Sequence, residues 1–320
     1  MLFFLNKNNI LQIILSALLF GWAVFTIFTQ MKLCPPEGQT IVYQHLFDFW
    51  QLHTLHYKTI AAVWVLLECF LIQLFFNKNR FAEIPTLMPM LFFLLFLNVG
   101  KFTSFFSPAF FTVLLTTMVI LFNAKDSNEK PMKNKVFSSG LFIGLSTLID
   151  PNALWIMLFL ILALFANNYS KAKEICILFA GLLMVAIYTF AYFFLSDKLP
   201  VAGYSIKHLQ FFYIIRNVRS MAVLDWVRIS FLLFSLVYLV AVIKLYFDNK
   251  LIVLRKRFVT TVLLLVIVLI MVVFANYDIH QGLLYLLIPI SLFYSMLAQI
   301  KKRRLWHDIL TITLVVLLCL

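Results

Sequence analysis

The feature that most constrains this chain is its run of long apolar segments, spaced so closely that little is left between them. A membrane helix needs about 20 mostly apolar residues to cross roughly 30 Å of hydrocarbon. Polar breaks divide the chain into about eleven such segments, roughly 9–29, 58–76, 82–99, 104–123, 136–149, 152–167, 174–195, 229–247, 258–275, 282–299 and 308–320. The fifth, sixth and eleventh are short, and the turns VGKFTS and IDPNA are tight enough for each flanking pair to be a re-entrant hairpin. Of the 320 residues 63% are hydrophobic and 12% charged, whereas soluble domains run near 45–50% and about 25%. A water-soluble core of this size cannot hide so much apolar surface. The reading is an all-α polytopic membrane protein, one integral-membrane domain over 1–320. No soluble domain, long linker or internal repeat is visible. The N-terminal run is read as a retained first membrane helix, because it lacks a basic leader and a small-x-small cleavage site.

Charge gives the orientation. With the N-terminus in the cytoplasm, the cytoplasmic ends carry 18 of the Lys and Arg residues and the external loops carry 8. That is the positive-inside pattern of a polytopic membrane protein. It accounts for the net charge of +13, so KKRR and RKR are topology signals and no nucleic-acid partner is expected. The four cysteines, Cys34, Cys69, Cys176 and Cys319, have no paired spacing, which argues against a disulfide framework or a CxxC metal site.

Two external loops follow, about 30–57 and 196–228. The first contains YQHLFDFWQLHTLHYK (43–58), which holds three of the six histidines. Taken as one helix over 43–57, at about 100° per residue, it puts His45, Asp48, His53 and His56 within an arc of about 140°. Leu46, Phe49, Trp50 and Leu52 are expected to point largely elsewhere. Tyr43, Trp50 and Tyr57 suit a membrane interface. Two readings stay open: the wet face of an interfacial helix, or a site in which Asp48 is a general base and the histidines orient it or bind a divalent ion. A stand-alone zinc site fits poorly, since no histidine pair has i, i+4 spacing.

The second loop places Lys207, His208, Arg216, Arg219 and Arg228 among FFY and Trp226. Paired Arg donors and a Lys point charge suit a lipid-linked phosphate or pyrophosphate, and equally an ordinary lipid headgroup. Asp278 and His280 cap two late segments on the same side and are candidates to complete a site. Asp150 in LIDPN has good N-capping chemistry. Glu68 lies inside the second segment, where a charge costs about 2.5–3.5 kcal/mol or more. It is expected to be protonated or paired, and either a functional role or a hydrogen bond to a neighbouring helix accounts for it.

This layout resembles the GT-C superfamily of polyprenyl-phosphate-sugar glycosyltransferases. The likeness is carried by the order of loops and helices and by two stretches, SSGLFIGLSTLIDPNALWIMLFLIL (138–162) and YDIHQGLLYLLIPISLF (277–293). The whole chain also resembles a family of small polytopic Bacteroidota membrane proteins. Some members of that family bear a beta-carotene monooxygenase label, although nothing here resembles a four-histidine iron propeller. Genes of that family often neighbour a polyprenyl-phosphate mannose synthase. The resemblance implies a GT-C-like fold and a mannosyltransferase-type activity, with a sugar moving from a polyprenyl-phosphate donor to a protein or glycan acceptor outside the membrane. It implies Asp48, then Glu37, as the carboxylate that deprotonates the acceptor. His45, His53, His56, Lys207, His208, Arg216, Arg219, Asp278 and His280 are then expected around the substrate, with a divalent metal as an optional cofactor. The paired Asp-Glu of protein mannosyltransferases and the WWDYG motif of oligosaccharyltransferases are absent. Membrane lipids are partners on any reading. Two other functions fit the same sequence: a transporter or flippase of a lipid-linked or anionic solute, for which Glu68 would be indispensable, and a structural subunit of an envelope complex.

Overall fold

The computed structural model describes residues 9–33, 41–81, 86–123, 132–166, 172–197, 235–246, 252–274, 279–300, 308–309 and 311–313. Those residues are helical almost throughout. The first half contains α1 (Asn9–Gln30), α2 (Ile41–Leu52), α3 (Thr54–Lys78), α4 (Met88–Val99) and α5 (Pro108–Asn123). The second half contains α6 (Met132–Ile149), α7 (Trp155–Ala166), α8 (Ala172–Leu195), α9 (Ser235–Tyr246), α10 (Ile252–Phe274) and α11 (Ile279–Leu297). One small parallel pairing joins β1 (Lys32–Leu33) to β2 (Phe105–Phe106).

Three helices, α1, α3 and α8, are long and apolar enough to cross a membrane among the described residues. In α1 and α8 the exposure is the reverse of a soluble helix. The buried residues of α1 are Gln12, Ser16, Ala23 and Ile27, while Ile10, Ile13, Ile14, Leu18, Trp22 and Phe25 face outward. Only Leu178, Gly181 and Val185 of α8 are buried, and Leu195 at its end is 81% exposed. A helix that hides its polar and small residues and shows its oil is solvated by lipid. The all-α membrane reading therefore holds. The shorter helices are a different matter. At about 1.5 Å per residue, α4 with its 12 residues and α7 with its 12 are each shorter than the roughly 20 residues of an ordinary membrane helix.

The short α4 is the centre of the bundle, with ten of its twelve residues buried. It packs against α1, α3 and α11. Phe92 and Phe96 of α4 meet Tyr294 of α11 at ring-centroid distances of 5.7 and 5.2 Å. On the other side of α4, Phe93 and the α5 residue Phe110 enclose Trp64 of α3. A second pair, α10 and α11, forms an antiparallel hairpin: Gly282 abuts Val272 and Phe258 reaches Phe293.

The helices α6 and α8 touch backbone to backbone. A Cβ on Gly140 would strike the Leu178 carbonyl oxygen, and one on Gly181 would strike the Phe137 carbonyl oxygen. A Cβ on Gly144 would come within 2.8 Å of Val185. The matched steps Gly140 to Gly181 and Gly144 to Val185 make the two helices parallel. Without a hydrophobic drive between helices in lipid, such close approach of small residues is what holds them together. The glycine spacing in SSGLFIG is accounted for by this contact.

Hydrogen bonds sort the helix ends into two groups. At one end, Gln12 Oε1 accepts from Leu87 N (2.7 Å), Gln73 donates to the Thr86 carbonyl, and Arg257 Nη1 donates to Asn79 O (2.8 Å). At the other end lie the β1–β2 pairing, the bond from Lys58 Nζ to Phe28 O (2.8 Å) and the link between Asp150 and Tyr285. The starts of α1 and α10 thus share an end with the turn after α3. The first loop, the α4–α5 turn and the α6–α7 turn share the opposite one.

Candidate functional site

The first loop folds onto the start of α5 through its aromatic residues. Trp50 of α2 is 3% exposed. It stacks on Phe111 (5.6 Å, 7° between planes) and meets Phe106 edge-on at 5.1 Å. Tyr43, two turns earlier on the same face, donates its hydroxyl to Phe106 O at 3.3 Å. The β1–β2 pairing and the bond from Tyr57 OH to Met31 O (3.2 Å) fasten the same region from below. Tyr43, Trp50 and Tyr57 are therefore core residues and not interfacial anchors, a correction to the sequence reading. Burial against aromatic neighbours outcompetes the interface for such large rings.

The single helix over 43–57 is also corrected. It breaks at His53, whose backbone (φ −126°, ψ 70°) leaves the helical region. Ile41–Leu52 is thus the docked helix, while His56 rides the first turn of α3. Across the break the rings of His53 and His56 come to 5.1 Å, and Phe49 covers them at 5.0 and 6.2 Å. Phe49 was expected to point away from this face, yet it is 51% exposed beside the histidines. The helical period explains it, since about 100° per residue puts position 49 between positions 45 and 53.

Asp48, His53 and His56 are all exposed at this end. Among the described residues no hydrogen bond or ion pair reaches Asp48. No three His, Cys, Asp or Glu side chains converge among the described residues. The side chains of His45 and His280 lie outside the described set, as do Glu37, Lys207, His208, Arg216, Arg219 and Asp278. The described cysteines Cys69, buried, and Cys176, exposed, are free.

Beneath α2 lies a polar cluster that the sequence reading did not assemble. Asp150 is fully buried at the α6–α7 turn. Its Oδ1 accepts from Asn152 N at 3.0 Å, the expected cap, and its Oδ2 accepts from Tyr285 OH at 3.2 Å. Tyr285 also hydrogen-bonds Thr112 of α5. Two helices and a turn are thus tied at one level. Farther along α5, the Thr117 hydroxyl meets Glu68 Oε1 of α3, so Glu68 does have the helix-to-helix hydrogen bond that was one of its two expected accounts. The available signals for this cluster were the threonines of TVLLTT at helical spacing and the lone tyrosine in GLLYLLIPI.

No protein-family model, no curated protein and no solved structure matches the chain.

Proposed function

We propose that this chain is a GT-C-like glycosyltransferase of the bacterial inner membrane. It moves a sugar, mannose in the first instance, from a polyprenyl phosphate to an acceptor on the periplasmic side. In this reading the chain crosses the membrane about eleven times, with its N-terminus in the cytoplasm. One observation carries the reading: α2, anchored by Trp50 and Tyr43, leaves Asp48 exposed at the same end of the bundle as the exposed His53–His56 pair. The same end carries the exposed Lys32 and Lys101 and the half-exposed Lys58. An exposed carboxylate at an end that also carries imidazoles and ammonium groups supplies a base and cations suited to sugar transfer from a lipid phosphate.

The chemistry follows from charge. Asp48 takes the proton of the acceptor hydroxyl as its oxygen attacks the anomeric carbon. The bond from that carbon to the phosphate oxygen breaks, and the polyprenyl phosphate leaves with the electron pair. Arg216 and Arg219 offer paired donors to the developing phosphate charge, with the lysines as point charges. His53 and His56 orient the acceptor.

The test is transfer by purified protein supplied with radiolabelled polyprenyl-phosphate mannose and a delipidated envelope extract, with and without divalent metal. Wild type is expected to move label to an acceptor and Asp48→Asn to move none. Full activity in a well-folded Asp48→Asn protein would overturn the assignment of the base. No transfer by folded wild type would overturn the mannose reading.

A further inference from the structure

We propose that Glu68 is a proton-binding site inside the bundle, a carboxylic acid that carries its proton in the folded protein and donates it to Thr117. The inference does not depend on sugar transfer.

The argument begins with the number of hydrogens available. A threonine hydroxyl has one hydrogen and two lone pairs. Thr117 Oγ1 lies 3.0 Å from Val113 O of its own helix and also in hydrogen-bond contact with Glu68 Oε1. The Val113 carbonyl can only accept, and one hydrogen cannot serve both neighbours. Where Thr117 gives it to an ionised Glu68, Oε2 is still left bare. Where Thr117 gives it to Val113, the contact with Glu68 takes its hydrogen from the carboxyl group, because an ionised carboxylate only accepts and would set lone pair against lone pair. A carboxylic acid completes a directed chain, Glu68 to Thr117 to Val113.

The surroundings agree. Glu68 is fully buried. Among the described residues Thr117 supplies its only hydrogen bond, and no ion pair reaches it. The other carboxyl oxygen, Oε2, has no partner among the described residues. One turn outward on the same helix, the indole N–H of Trp64 is also buried without a partner, with its ring against Phe110 of α5 (4.5 Å). An ionised carboxylate with no cation and one unsolvated oxygen is strongly disfavoured in such a setting. A neutral acid leaves only one weak carbonyl acceptor unsatisfied.

The experiment is infrared difference spectroscopy of wild type against Glu68→Gln and against Thr117→Val, in lipid nanodiscs. Wild type is expected to show an acid carbonyl stretch that Glu68→Gln lacks, with the carboxylate bands unchanged. Loss of a carboxylate stretch instead would overturn the proposal. Thr117→Val removes the acceptor of the acid hydrogen, so the acid carbonyl band is expected to move to higher wavenumber. An unmoved band would overturn the Glu68–Thr117 direction. That second comparison decides the matter even where Glu68→Gln does not fold.

Discussion

Replacing Trp50 by Ala tests whether α2 is held by its aromatic anchor. In the native protein the indole is almost fully buried, stacked on Phe111 and edge-on to Phe106. Truncating a buried Trp to Ala costs about 3–5 kcal/mol, and each aromatic pair within that total is worth about 0.5–1.5 kcal/mol beyond area. The loss falls on a helix that is also fastened by a long hydrogen bond, Tyr43 OH to Phe106 O at 3.3 Å. The helices α4 and α11 do not depend on it, because their contacts lie deeper in the bundle. Each 1.4 kcal/mol is tenfold in an equilibrium, so local opening of α2 is expected to rise by about two to three and a half powers of ten. Amide hydrogen exchange in a nanodisc reads this directly: Ile41–Leu52 should exchange faster by that factor, with α4 and α11 unchanged. Unaltered protection of α2 would refute the anchor. Equal acceleration in α4 and α11 would show that α2 is part of the global fold and does not dock on its own.

Gly140→Leu drives a side chain into the α8 backbone and is expected to destabilise the bundle by about 1–3 kcal/mol; thermal unfolding in detergent should show it, while Gly21→Leu, which faces open space, should leave the midpoint unchanged. Tyr285→Phe removes the hydroxyl shared by Asp150 and Thr112 and should cost about 1–2 kcal/mol; a stability equal to wild type in chemical denaturation would count against the cluster as a tie between helices. In a background with all four cysteines replaced by Ser, Lys78→Cys and Asp197→Cys should be labelled by an impermeant thiol reagent from opposite sides of the membrane; labelling from the same side would contradict the two-ended arrangement. Glu68→Gln is expected to leave sugar transfer within about twofold of wild type, since Glu68 lies away from the exposed end; loss of transfer in folded protein would move Glu68 into the chemistry.

Much of the fold was legible because lipid imposes one rule, that backbone polar groups be satisfied within each segment. The rule makes apolar length readable as helix, and segments 9–29 and 174–195 correspond to α1 and α8 within a few residues. The first loop was less legible. A polar arc on a helical wheel does not say where the helix ends, and the break at His53 reassigns His56 and Tyr57 to α3. Nor does the wheel distinguish an aromatic ring that seeks the interface from one that is buried, as Tyr43 and Trp50 are. That depends on what stands opposite, and Phe106 and Phe111 are more than fifty residues away in the chain.

The sequence by itself determined an all-α membrane protein with its exposed ionisable groups concentrated at helix ends. Apolar length and charge placement are local quantities, and the solvent reads them directly. Only the tertiary structure decided which polar groups meet. Asp150, Tyr285 and Thr112 come from three distant segments, as do Glu68 and Thr117 from two, and no periodicity within one segment encodes a partner in another. The reason is hydrogen-bond satisfaction: a buried donor or acceptor must find its complement among whatever the packing brings within about 3 Å, and packing is a property of the whole chain.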